Sequence, residues 1–411
     1  MALRLLLPFL LAIDVAAEPS IGIRHGRISE LPRHLQLAKM NAVPLSAAAT
    51  TIAQGTSFVY SYLNSHLNAK DTSYTENLAL SITNPTDQIA SVTVAITPAD
   101  IQTDYMDQYL QYAVIETKVL FVDSNVTISL IASNSLTAGG GEDKFVVLPI
   151  CQLGLEYHVV GDESSHVFQS YQSTNIITII ATQDQTTVQM NYLYTAPTVL
   201  NRGEQLTIAT YYTQTTVAVS SDKPVAVISG SVCGYGYYNP SHCSYEVLML
   251  APSSNWAKDA AYYKFQPEDI GEFMVLFEKE NTVVYLDEVQ VDGGPFGHDS
   301  YLIVGTRTGS YVRANGPIYV VAVGSSNSQN QGAPFFANVP SSSSFSQGPF
   351  TFSMGRSNSY FVDVAVKGGK HTVSFVGADT PWAPITFGVT VYGYGLNRGY
   401  AFTPGLSYQG E

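Results

Sequence analysis

Residues 221–231 read SDKPVAVISGS and residues 314–325 read ANGPIYVVAVGS. Each has a short polar turn, a proline, an alternating apolar run and a terminal Gly-Ser, and Pro224 and Pro317 stand 93 residues apart. An Asp or Asn two residues ahead of proline suits a tight turn, and proline at the first position of a strand gives up an N–H where its loss costs least. The run before each stretch repeats too: SVTVAI from Ser91, QTTVQM from Gln185 and NTVVYL from Asn281 fall about 95 residues apart. A weaker copy, DSNVTISLIASNS from Asp123, precedes residue 221 by one period.

Working outward, short runs rich in Val, Ile, Thr, Tyr and Phe, bounded by Gly, Pro, Asn or Asp, fill the chain from Gln54 onward. Examples are FVYSYL, IITIIATQ, FMVLFE, FVDVAV and HTVSFVG. Long helical periodicity is missing after residue 50. The composition agrees: 27 Tyr, 18 Phe, 32 Gly and 20 Pro suit pleated strands joined by turns. The expected fold is all-β, built as tandem sandwich-like units of about 95 residues. A β-propeller with two blades per period is the alternative. The units are drawn at 54–150, 151–250 and 251–345, with a closing part-unit at 346–411.

The start of the chain reads as a route for export. Arg4, an apolar run over residues 5–13 and the small Ala16 and Ala17 make residues 1–17 a cleaved signal peptide, followed by a leader or linker over 18–53. The apolar run is too short to span a bilayer, which needs about 20 residues, and no later segment is long enough. The protein is therefore expected to be secreted and extracellular, where disulfides persist. In that setting Cys233 and Cys243 are expected to pair, a loop closure contributing about 3 kcal/mol in the chain-entropy model. The competing zinc reading lacks ligands, because His242 is the only other donor at hand. Cys151, among Val147, Leu148 and Ile150, is expected to be a small buried hydrophobe.

Charge excludes some partners. Residues 1–40 carry a net charge of +2 and the remainder −16, so phosphate backbones would be repelled and nucleic acid is not an expected partner. For catalysis there is no G-x-S-x-G elbow, H-E-x-x-H helix, P-loop or dinucleotide-binding glycine motif. Acids in GGGEDKF (139–145), GDESS (161–165) and QPEDIGEF (266–273) could pair as a glycosidase site or hold calcium, but read first as solvated turn acids. No enzyme, cofactor or metal is expected.

Two features point to binding and modification. Tyr235, Tyr237, Tyr238 and Tyr245 lie in or beside the cysteine-closed loop, where rigid aromatics with polar tips serve protein or glycan contacts. Packing beneath the loop is the plainer alternative. Asn125-Val-Thr127 is an N-glycosylation sequon and is expected on the surface beside a strand. The Ser-rich PSSSSFSQG (340–348) is either an O-glycan acceptor or a linker.

Seven segments in order resemble the IgG Fc-binding protein N-terminal domain family: GTSFVYSYL from Gly55, DKFVVLPICQLGLEYHVV from Asp143, IIATQDQTTVQM from Ile179, LNRGEQLTI from Leu200, SSDKPVAVISGSVCGYG from Ser220, HCSYEVLMLAPSSNWAKD from His242 and FGVTVYGYGLNRGYAFTPG from Phe387. The resemblance covers nearly all of 54–410. It implies a secreted, non-enzymatic binding or adhesion module of mucosal, matrix or defence type, with an extracellular protein or glycan as partner. The alternatives are an extracellular carbohydrate-active enzyme on a β scaffold and a structural coat protein.

Overall fold

The computed structural model describes residues 53–61, 76–84, 88–96, 112–136, 141–161, 175–191, 196–210, 215–236, 239–265, 271–298, 300–306, 309–329, 331–341, 346–350, 385–387, 390–395 and 398–403. The signal peptide and nearly all of the leader lie outside them. The described chain is β throughout, broken by one-turn 3-10 helices such as Ile150–Gln152 and Ser253–Asn255.

The first stretch supplies β1 (Gln54–Ser61), β2 (Glu76–Thr83), β3 (Val92–Ile96), β4 (Tyr112–Glu116), β5 (Val119–Leu136) and β6 (Glu142–Val147). Then come β7 (Gly154–His158), β8 (Asn175–Ala181), β9 (Thr186–Met190), β10 (Thr198–Leu200), β11 (Gln205–Thr210), β12 (Ala218–Gly236) and β13 (Asn239–Met249). The third group is β14 (Ala257–Tyr263), β15 (Gly271–Phe277), β16 (Val284–Leu286), β17 (Val289–Gln290), β18 (Tyr301–Thr306), β19 (Gly309–Gly324) and β20 (Phe335–Asn338). They form sheets of five, eight and seven strands, unlike the four-stranded blades of a propeller.

One long strand organises each sheet. The first half of β5 lies between β1 and β3, and its second half between β2 and β6. β12 repeats this with β7 and β9, then β8 and β13. β19 does so with β14 and β16, then β15 and β20. The long strand thus belongs to two faces of a curled sheet, and the repeated turn motif marks the place where it bends from one to the other.

That bend is held by one repeated side chain. Asn315 Oδ1 accepts the N–H of Val283 at 2.8 Å, Asp222 Oδ1 that of Thr187 at 2.7 Å, and Asn125 Oδ1 that of Ser91 at 2.6 Å. The expected free-standing turn before the proline is therefore a clamp within a continuous strand. The Gly of the terminal Gly-Ser has its own cause: the following strand folds back so closely that a Cβ on Gly230 would lie 1.8 Å from the Glu246 carbonyl oxygen.

The last residues follow the same plan in part. β21 (Ser346–Phe350) pairs with β22 (Ile385–Phe387), and β23 (Val391–Gly395) with β24 (Arg398–Phe402). These are the pairings that the start and the end of a long strand make elsewhere. Burial follows the pattern: β8, NIITIIA, is buried along its whole length, and a continuous core joins the first two sheets to Met274, Leu276, Tyr319, Val321 and Phe336 of the third.

Candidate interaction site

The strands that follow the long ones meet at the centre of the molecule. β6 packs against β13 and β24, and β20 against the same two, so the four make a closed ring. A small cavity between them is lined by Phe145, Val146, Leu248, Phe336 and Phe402 together with the polar Asn338 and Thr403.

Asp143 ties this ring. Its carboxylate accepts the N–H of Val247 on β13 at 2.8 Å and that of its own neighbour Lys144 at 2.7 Å, and the Phe336 N–H of β20 is a further donor. Burial pushes its pKa well above the usual carboxylate range, opposed by these N–H groups. The GGGEDKF acids were expected to be solvated turn acids, and Asp143 corrects this: it is 2% exposed because three sheets close over it. Beside it Lys144 pairs with Glu142 at 2.9 Å and places its ammonium 3.6 Å from the centre of the Tyr400 ring on β24. Thr403 Oγ1 donates to the Asn338 carbonyl at 2.9 Å, joining β24 to β20.

The ring has a direction. Gly141 abuts Ser244, and Asp143 meets Val247, so β6 and β13 run the same way. Gly399 abuts Ala333 and Thr403 meets Asn338, so β20 and β24 do too. Asp143 and Phe336 bring the starts of β6 and β20 together. The connections entering all four strands therefore lie at one end. There the β12–β13 hairpin runs on past the start of β6, since residues 239–243 extend beyond Ser244, which is level with Gly141.

Of the residues singled out by sequence, the backbones of Cys233, Tyr235 and Cys243 belong to this hairpin. In the hairpin backbone Tyr235 pairs with Cys243, Gly234 with Ser244 and Gly236 with Asn239. The side chains of Tyr235, Cys233 and Cys243, and all of Tyr237 and Tyr238, lie outside the described residues. Tyr245 is a correction: 1% exposed, it faces the core from β13 and is no part of an open surface.

The β23–β24 hairpin is the counterpart that sequence reading missed, although VYGYG at 391–395 echoes VCGYG at 232–236. It turns between Gly395 and Arg398, and its Tyr394 is 52% exposed. The connection before β20 is held by Asn327, whose Oδ1 accepts the N–H groups of Gln329 and Gln331 at 2.9 and 3.0 Å.

Elsewhere, Asn125 is exposed on β5 as expected. Its Nδ2 donates to the Ile89 carbonyl at 3.3 Å. Cys151 corrects another expectation: it is a free, exposed thiol in the one-turn helix Ile150–Gln152, where Ile150 takes the inward position. Among the described residues no three metal-ligating side chains cluster and no helix is long and apolar enough to cross a membrane.

The family model described as IgGFc binding protein matches residues 143–400, from the ring carboxylate to the Tyr400 ring beside it. The chain belongs to the IgGFc binding protein family. The family match takes in the second sheet apart from β4, the third sheet, β6 from Asp143 onward and most of the closing hairpin, so the ring lies within it but for Glu142 and the last residues of β24. No curated protein matches the chain. A solved anti-sigma factor domain-containing protein aligns at 10% identity over 48% of this chain and 78% of its own, with a TM-score of 0.12.

Proposed function

We propose that this member of the family is a secreted, non-enzymatic binding module of mucosal, extracellular-matrix or defence type, and that the hairpin end of its ring is the surface it presents. The observation that supports this most is the common direction of the four ring strands, which gathers their connections at one end on a rigid scaffold, the arrangement in which loops serve recognition. The β12–β13 hairpin projects there with Tyr235, Tyr237 and Tyr238 in its sequence, and Tyr394 stands exposed on its counterpart. The partner is an extracellular protein or glycan, classes for which rigid aromatics with polar tips serve as anchors.

Two covalent features belong to the same reading. Cys233 and Cys243 form a disulfide that staples the projecting hairpin; they lie on its two paired strands, two residues out of register, since Tyr235 is the residue opposite Cys243. Asn125 carries an N-linked glycan; the amide nitrogen keeps one N–H after attachment, enough for its bond to Ile89. Glycan arrays and pull-downs from mucosal secretions test the proposal with the wild-type chain beside Tyr237→Ala/Tyr238→Ala and Tyr394→Ala. Saturable binding lost in these variants with folding intact is expected; binding unchanged in all of them overturns the assignment of the surface.

A further inference from the structure

We propose that Ile89 is the seat for the first sugar of an N-linked glycan on Asn125, an intramolecular contact that secures the bend of the first long strand. The inference rests on the reading that Asn125 is glycosylated and adds what the glycan does there.

The three bends share one arrangement. The clamp side chain accepts the N–H of Ser91, Thr187 or Val283, and the residue two places before each of these, Ile89, Gln185 or Asn281, offers its carbonyl to a donor from the long strand. Asn125 Nδ2 donates to Ile89 at 3.3 Å and Asn315 Nδ2 to Asn281 at 3.4 Å. In the second sheet, where Asp222 has no N–H to give, Lys223 Nζ donates to Gln185 at 3.0 Å.

Two differences set the first bend apart. Gln185 and Asn281 are polar and exposed, as suits a turn in water. Ile89 is 90% exposed, more than any other large hydrophobic residue among those described. Only the first clamp is an acceptor for sugar: residues 125–127 read NVT, whereas 222–224 read DKP and 315–317 read NGP. The exposed apolar residue and the sequon thus occur together at one bend and at neither of the others.

Geometry joins the two. The nitrogen that would carry the sugar is Asn125 Nδ2 itself, 3.3 Å from the Ile89 carbonyl oxygen, so the first pyranose ring leaves the protein beside Ile89. A pyranose has C–H groups on its faces as well as hydroxyls on its rim, and seating such a face on Ile89 removes apolar surface of both from water. An outside partner approaching Ile89 would meet the glycan first, which makes the chain's own sugar the occupant.

The test uses the chain purified from cells that attach N-glycans, beside Thr127→Ala, which keeps Asn125 but loses the sequon. Mass spectrometry of the peptide carrying Asn125 reads occupancy, and urea unfolding compares Ile89→Ser in the two backgrounds. The midpoint is expected to fall with Ile89→Ser in the glycosylated chain and to stay in place in Thr127→Ala, where an exposed isoleucine has no sugar to lose. Trimming the wild type with an endoglycosidase to a single N-acetylglucosamine should preserve the effect, because the first sugar makes the contact. Nuclear Overhauser contacts between the Ile89 methyl groups and that sugar need no variant and are expected in the trimmed wild type. Their absence, an equal shift of midpoint in both backgrounds, or no shift in either overturns the inference while the glycan stands; a wild type without sugar at Asn125 overturns the reading beneath it and the inference with it.

Discussion

β11 and β18 are the same strand of the same plan, and they have met different fates. β11 lies under β4, and a polar group that would be costly alone is satisfied there: Glu116 accepts from Thr207 Oγ1 at 2.6 Å and from Gln205 Nε2 at 3.2 Å, and pairs with Lys118 at 3.4 Å. Lys118 itself is 1% exposed. β18 has only apolar or small side chains and one threonine, and stays open among the described residues. A strand's place in a sheet is thus set by local pairing, whereas whether it becomes a joint or an edge depends on what arrives beside it. The joint carries a buried carboxylate, which ties its two sides to one register, because a slip would take Thr207 and Gln205 of β11 away from Glu116.

Breaking the joint gives the largest expected effect. Glu116→Ala leaves Lys118 buried without its carboxylate, and urea unfolding should show a loss of about 3–5 kcal/mol. Removing the Asp143 carboxyl with Asp143→Ala strips acceptors from N–H groups of β13 and β20 and should cost about 2–3 kcal/mol.

Asp143 also predicts a pH dependence. Its folded pKa lies above its unfolded value, so the native state holds the proton more tightly. The stability from this group is full below about pH 4 and is lost as pH rises through the folded pKa. Unfolding free energies of the wild type should fall over that window relative to Asp143→Asn; parallel curves for the two would refute the assignment.

Smaller effects sharpen the picture of a repeated plan. Asn315→Ala and Asp222→Ala each remove one side-chain acceptor at the bend of a long strand and should cost about 1 kcal/mol apiece, with the two losses adding in the double variant because the sites lie in different sheets. Ile303→Lys, at an exposed position of β18, should change stability by no more than about 0.5 kcal/mol.

Much of this was legible in the sequence. The period of SDKP and ANGP marked the bends of two of the three long strands, and DSN, the weaker copy, that of the third, although each read as a turn before a new strand. Other features were not legible. Tyr245 and Tyr394 look alike in sequence, both tyrosines near a glycine-rich hairpin, yet one is buried and the other half exposed; which face of a strand meets another sheet is a property of packing. Asp143 reads as a hairpin acid because nothing local shows that β13 and β20 converge upon it. Cys151 sits among apolar residues, but a single helical turn after Pro149 rotates it outward.

By itself, then, the sequence determined the class of fold, the repeat and the family, since strand alternation and turn chemistry are local and recur with the period. Only the tertiary structure decided that the ring closes, that its hairpins share one end, and that β4 lies against β11. Those outcomes depend on contacts between strands far apart in the chain, and the periodicity of any one strand carries no information about which other strand will lie against it.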